Sequence, residues 1–449
     1  LRLKNSFISR KQFALDDFDP TYSDLYWKGY KMALKVNVNT GAWYGDKEIT
    51  LTFPDNWDVS VRESKAVEAL DEAEIAAAFA EPMGTGRIKQ IARGKRSAVI
   101  IVDDLSRPTS AYLVIPNIIE ELREAGISEG SIRFVIGGGS HRPLTKEEIA
   151  KKVGQDIASK YEISNHNTFS KTLEDLGHLE DGTPVHINEI VVHSDVRIAV
   201  GGIIPHGSVG FGGGAKMILP GVAGYDTIAH NHQGKYKGRG RGNLERQGEE
   251  KDIRDNAEDV ARHLGLDFMV NMVLTRKRGI AGLFIGDMIE SYRQGAVFAR
   301  EVYDTPIPGE EVEAADIVII NAYPQDSDPV QMGKSMWPSG VFKNAQKVMV
   351  NPASDGIGYH GLADKMDYKT YLGKKADEKI NVTEDGGIKS KDDFVLLTSN
   401  FPKSKFYKSY PNGAMFENWE ELISQLESLH HEPKVVVIPY SPIQLPQII

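Results

Sequence analysis

The run Ser97–Asp103 is apolar through its whole middle instead of alternating, and this constrains the fold more than any other feature. A strand reads this way when both of its faces are hidden, which happens in parallel sheets covered by helices on both sides. Val196–Ile204 repeats the pattern, and Ser131–Ile136 lies between the two as a further strand. Amphipathic helices separate such runs. Ile115–Ala125 carries Ile118, Ile119, Leu122 and Ala125 on one stripe, with Gly126 placed to end it. Thr145 and Glu148 have capping-box spacing ahead of a helix to about Val153. Helices are also expected at Asp252–Leu264, Asp287–Tyr303 and Trp419–Leu429, and strands at Ala315–Asn321, Lys347–Asn351, Phe394–Ser399 and Lys434–Pro439. Strand and helix in alternation predict an α/β protein with mainly parallel sheets.

At 449 residues the chain exceeds one ordinary core. Two α/β domains are expected, residues 1–308 and 309–449, joined through the Pro- and acid-rich stretch Tyr303–Glu311. Residues 1–40 read as an N-terminal extension packed on the first domain. The 53 basic and 63 acidic residues leave a net charge of −10, which argues against a surface built for nucleic acid. Cysteine is absent, so the chain supplies neither a thiolate nucleophile nor a thiolate metal ligand. There is no apolar run of membrane-spanning length, and Leu1–Phe7 lacks the apolar core of a signal peptide. A cytoplasmic protein with no membrane partner is the expectation.

The unusual residues share one location. Asp103–Arg107, Gly137–His141, Pro205–Lys216 and Pro324–Lys334 each lie just past the C-terminal end of an expected strand. In open parallel sheets that edge is where ligands bind. Pro205–Lys216 is the densest of the four, with glycines at 207, 210, 212, 213 and 214. It is not a P-loop, because Ala215 precedes Lys216 and Met217 follows it. Gly210-x-Gly212-x-x-Ala215 matches a dinucleotide fingerprint by letters, but Pro220 interrupts the helix that fingerprint needs. His230 and His232 suit either a metal site or a surface pair. Lys216, set among small residues, suits an anion contact or a covalent link. His141 and His206 end separate strands, so two imidazoles can face one pocket and exchange protons with a substrate from two sides.

These segments together resemble the nickel-pincer lactate racemase family. The matching residues are Asp104-Leu105-Ser106-Arg107-Pro-Thr, Gly137-Gly-Gly-Ser-His141-Arg-Pro-Leu-Thr, and Pro205-His206-Gly-x-x-Gly-x-Gly-Gly-Gly-Ala-Lys216. Leu219-Pro-Gly-Val-Ala-Gly-x-x-Thr-Ile-x-x-Asn231-His232 and Gln331-x-x-Lys334 complete the set, and the resemblance runs over roughly residues 60 to 440. It implies a two-domain enzyme with its site in the interdomain cleft, racemising or C2-epimerising a 2-hydroxy acid. It also implies nickel held by a pyridinium mononucleotide with two sulfur-bearing arms, made by dedicated biosynthetic enzymes. On this resemblance Lys216 would join the cofactor covalently and His232 would ligate nickel. Asp104, Leu105, Ser106 and Arg107 would contact the cofactor, and His141 and His206 would be the acid/base pair. Arg107, Gln331 and Lys334 would hold substrate.

The lactate enzymes of that family carry an aromatic residue before the substrate-contacting glutamine, where this chain has Val330. That difference leaves lactate-, malate- and aldonate-type acids open as substrates. Two other readings stand beside the racemase: a non-catalytic protein that binds the nickel nucleotide, and an NAD-dependent 2-hydroxy acid dehydrogenase. The loop Lys235–Arg241 reads as solvated.

Overall fold

A computed structural model describes residues 33–449 except 233, 235, 357 and 359–386, and except the side chains of 329 and 330. Most of the expected extension 1–40, Lys235 of the basic loop and the Val330 side chain therefore fall outside the described residues. Among the described residues no helix is long and apolar enough to cross a membrane.

Two six-stranded sheets organise the chain. In the first, the strands run in space as Ile280–Gly286, Phe268–Leu274, Val196–Gly202, Ala98–Val102, Ile132–Ile136 and Glu162–Asn165. Every pairing is parallel except that of Phe268–Leu274 with Ile280–Gly286. The central strand Ala98–Val102 is buried at every position, as its unbroken apolar run requires. Helices Ile115–Glu124 and Lys146–Val153 cover one face, the second started by the Thr145/Glu148 capping box. Helix Ile253–Leu264, capped by Asp252 and ended by left-handed Gly265, covers the other.

The second sheet is parallel throughout, in the order Ala414–Phe416, Val395–Leu397, Gln346–Val350, Ile317–Asn321, Lys434–Ile438 and Asp58–Val61. Its last strand revises the domain expectation. Asp58–Val61 pairs with Lys434–Val437, and Val36, Val38, Leu51 and Phe53 pack into the core of this sheet. The described part of the extension thus packs on the second sheet, not the first. An open apolar sheet edge is better covered by strand pairing than left to solvent. The expected linker also takes up structure. Asp304–Ile307 pairs in parallel with Leu445–Ile448 at the end of the chain, and Gly309–Ala314 is helical.

Each sheet reverses its winding direction once, and these reversals place the site. The chain moves outward from Ala98–Val102 through the next two strands, then returns to lay Val196–Gly202 on its other side. Ile317–Asn321 and Lys434–Ile438 flank the matching point of the second sheet. Strand-end loops diverge at such points and leave a crevice. The two crevices meet: Arg107 donates to Gln331 at 3.1 Å, and Gln325 donates to the Ser106 carbonyl at 3.2 Å.

One buried ion pair fixes the first crevice. The fully buried Lys152 ammonium contacts the Asp103 carboxylate and donates to the carbonyls of Arg107 and Thr109 at 3.2 and 2.9 Å. Burial pushes Asp103 up and Lys152 down, and their mutual attraction opposes both shifts. Lys152→Met leaves a carboxylate buried without its cation, so a loss of about 3–5 kcal/mol is expected in urea unfolding. Adding Asp103→Asn should recover part of that loss.

Candidate active site

Three strand ends of the first sheet, a 3-10 turn and two helices supply the side chains. Asp104 and Arg107 follow Ala98–Val102, His141 follows Ile132–Ile136 across Gly137–Ser140, and His206 follows Val196–Gly202. Lys216 sits in the 3-10 turn Gly214–Met217, and His232 ends the helix Tyr225–His232. Asp104, Arg107, His141, His206, Lys216 and His232 all line one cavity of about 230 Å³. Gln331 and Lys334 reach the same region from the helix Pro329–Met336 of the second sheet. The Gln331 Oε1 accepts from Arg107 at 3.1 Å and from Lys334 Nζ at 2.5 Å. All the expected polar site residues therefore converge. Leu105 differs: its side chain is buried in the core of the first sheet, leaving its backbone and the edge of a small adjoining hollow as its share of the site.

The two histidines are held as opposite tautomers. The Asp104 carboxylate lies 2.5 Å from His141 Nδ1 and also accepts from the Ser106 N–H at 3.0 Å. Burial alone would raise this carboxyl, but the His141 imidazole and the Arg107 guanidinium outweigh it and hold Asp104 well below the usual range. A carboxylate only accepts, so His141 Nδ1 carries the hydrogen, and in the neutral ring Nε2 holds the lone pair. At His206 the Ser208 N–H donates to Nδ1 at 3.2 Å, which puts the ring hydrogen on Nε2. Burial, then Lys216, Lys334 and Arg107, push His206 well below its ordinary value and keep it neutral. One imidazole thus presents a base to the crevice while the other presents a donor.

Positive charge gathers around them. Burial, then Arg107 and Lys216, push the Lys334 ammonium well below its ordinary value. Burial with Arg107 and Arg254 brings Lys216 down to about 7. Such a cluster favours an anionic ligand, which relieves the repulsion. Lys216 is in addition partly neutral near pH 7, which makes it a competent nucleophile. Burial and then Lys216 lower His232 to about 4, and its Nδ1 donates to the Ile228 carbonyl at 3.1 Å. Its Nε2 therefore holds a lone pair at neutral pH, as a metal ligand must.

The Gly-rich loop gets its shape from partners not evident in its own sequence. Gly210 and Gly213 have φ of 75° and 72°, and a Cβ on Gly210 would lie 2.1 Å from the Asn243 carbonyl oxygen. The buried Arg254 donates to the Gly213 carbonyl at 3.1 Å and lies 3.3 Å from the centre of the Tyr292 ring. Asn271 accepts from the Gly214 N–H at 2.9 Å. The loop continues as a 3-10 turn and not as the helix of a dinucleotide fold. Sequence reasoning passed over Arg254, Asn271 and Lys152. Their only signal is a polar residue inside an otherwise apolar strand or helix face.

A model of the lactate racemase N-terminal domain matches residues 44–241. Lactate racemase from Lactiplantibacillus plantarum is 34% identical over 311 residues, spanning 67% of this chain and 70% of that protein. Lactate racemase from Thermoanaerobacterium thermosaccharolyticum is 30% identical over 330 residues, spanning 71% of this chain and 75% of that protein. In fold, the chain resembles the lactate racemase apoprotein of the latter organism with a TM-score of 0.67, covering 92% of this chain and all of that one at 24% identity. A Thermotoga maritima protein of solved structure follows at 0.59 and 19% identity, covering 86% of this chain. With two lactate racemases this similar over most of their length, the chain belongs to the lactate racemase family and is an isomerase.

Proposed function

We propose that the chain interconverts the two C2 configurations of a 2-hydroxy acid through a transient 2-oxo acid. The observation that carries this reading is one crevice holding two oppositely tautomerised histidines beside Arg107, Gln331 and Lys334. Arg107 and Lys334 would pin the substrate carboxylate, in the position where the Gln331 amide oxygen already accepts from both. His141 Nε2 would take the hydroxyl proton, while Asp104 stabilises the imidazolium that forms. His206 Nε2–H would donate to the oxygen when the C2 hydrogen returns to the other face, and the proton taken up by His141 would restore the pair to its starting state.

Removing the C2 hydrogen as a proton would place a carbanion beside an ionised carboxylate. The residues present fit the nickel pyridinium mononucleotide of this family instead. Lys216, partly neutral, would form the covalent link, and His232 Nε2 would be the protein ligand. The chain has no cysteine, and among the described residues no three or more His, Asp or Glu converge as a metal cage. Any ion at His232 therefore takes its other ligands from outside the described residues, and a group with sulfur arms would provide them. The chemistry that group supplies when bound is reversible acceptance of the C2 hydrogen with its electron pair, which no side chain here can perform.

The test is to offer single enantiomers of 2-hydroxy acids to protein produced with the cofactor's biosynthetic enzymes. Chiral chromatography should show a second enantiomer with no net loss of substrate; substrate consumption with NADH release would contradict the reading. Attachment has its own pH signature. Because Lys216 titrates at about 7, its rate of covalent loading should fall about tenfold per unit below pH 7 and level off above about pH 8. Intact-mass time courses measure this. An ordinary lysine would still be gaining at pH 10.

A further inference from the structure

The backbone behind Arg107 is held in part from the other sheet. Its carbonyl accepts from Lys152 Nζ at 3.2 Å and from the Trp43 indole N–H at 3.2 Å. Trp43 stands in the turn between the strands Lys35–Thr40 and Lys47–Thr52, whose Val36, Val38 and Leu51 pack on the second sheet. Its ring crosses into the core of the first sheet, where it is 7% exposed. There the Arg278 guanidinium lies 4.3 Å from the ring centre. Trp43 has φ of 71°, a conformation that a bulky residue keeps only where its surroundings enforce it. The second sheet supplies that restraint. The Asp326 carboxylate accepts from the Gly41 and Ala42 N–H groups at 2.6 and 3.1 Å. At the far end of the turn, Asp46 accepts from the Tyr323 hydroxyl at 3.1 Å and from Arg278 at 2.6 Å.

These contacts close a circuit. Asp326 fixes the turn, the turn places the indole, and the indole holds the Arg107 carbonyl. The Arg107 guanidinium then meets Gln331, which lies on the same segment as Asp326. Packing alone would need only a ring of the right size in this slot, whereas the circuit needs the N–H. A carbonyl freed of one donor lets its peptide turn, and a small turn at the backbone is a large displacement at the end of an arginine. We infer that Trp43 is a positioning residue for substrate binding, holding Arg107 in register with Gln331 and Lys334 so that the guanidinium meets the substrate carboxylate. This rests on the racemase reading and adds to it a part of the carboxylate clamp that touches no ligand.

The experiment measures KM and kcat of cofactor-loaded protein for a 2-hydroxy acid that the wild type interconverts. Trp43→Phe removes the N–H together with part of the ring. β-(3-Benzothienyl)alanine at position 43 removes the N–H and keeps the fused ring, so it serves where the smaller ring impairs folding. Each should raise KM about fivefold, the effect of one lost hydrogen bond, with kcat per loaded enzyme within about twofold of wild type. Lost packing alone would lower the melting temperature and the yield of folded enzyme without moving KM. Hydrogen exchange of the segment Asp104–Thr109 reads the same anchoring without turnover, and it should quicken about fivefold. Asp326→Asn should raise KM about threefold by itself and add nothing to the benzothienyl protein, because both changes act through one indole. Unmoved KM, unchanged exchange or additive rises in KM overturn the positioning role while leaving racemisation in place. A wild type that interconverts no acid of a single-enantiomer panel overturns the racemase reading and the substrate role with it, and the exchange rates then still decide whether Trp43 anchors the turn.

Discussion

Lys216→Ala should yield a folded protein that gains no covalent mass when produced with the cofactor pathway, and its turnover should drop by more than about 10⁴-fold. The fold should survive because the change removes a positive charge from beside Arg107 and Arg254, which already depress this amine. The surrounding loop is held by Arg254 on the Gly213 carbonyl and Asn271 on the Gly214 N–H, and neither contact involves the lysine side chain. Activity should vanish because the step at C2 needs an electron-pair acceptor that the twenty side chains do not provide. Lys216→Arg is the sharper control. It keeps the charge but cannot form the link, so it should match alanine in mass and activity. Near-normal turnover in either variant would mean that the tether is not at Lys216.

His141→Ala and His206→Ala are expected to lower kcat/KM by about 10²–10⁴-fold each, the range for loss of a positioned acid or base. The reduction must be equal in both directions, because the equilibrium constant between two enantiomers is 1 and a variant cannot change it. What distinguishes the histidines is the group behind them. His141 is backed by the Asp104 carboxylate, whereas His206 is backed by the Ser208 N–H. Asp104→Asn should therefore shift the pH profile of turnover and act mainly on kcat, since it removes charge behind one imidazole and leaves the carboxylate clamp in place. Chiral assays on both enantiomers across pH 5–9 provide the check.

Much of the first sheet was legible because its strands are decided locally. Ala98–Val102 and Ile132–Ile136 fall within a residue of the apolar runs that announce them, and Trp419–Leu429 matches its amphipathic stripe. The site residues were legible for a related reason: glycines and histidines at strand ends have little to do in a core. What stayed hidden depends on partners far away in sequence. Asp58–Val61 joins the second sheet through Lys434–Val437, and Asp304–Ile307 is held by Leu445–Ile448. Neither segment differs in composition from a loop or a linker. The same holds for the site's supports. Nothing local to Lys152 shows that it will be buried against Asp103, and the sequence cannot show that the Asp104 carboxylate points at His141.

The central claim is that the C2 hydrogen leaves and returns as a hydride inside the crevice while the histidines handle only the hydroxyl proton. Tracing a C2-deuterated single enantiomer through cofactor-loaded enzyme in ordinary water tests this most directly. The account predicts that the opposite enantiomer forms with its C2 deuterium retained. Deuterium lost to solvent at the rate of racemisation would contradict it.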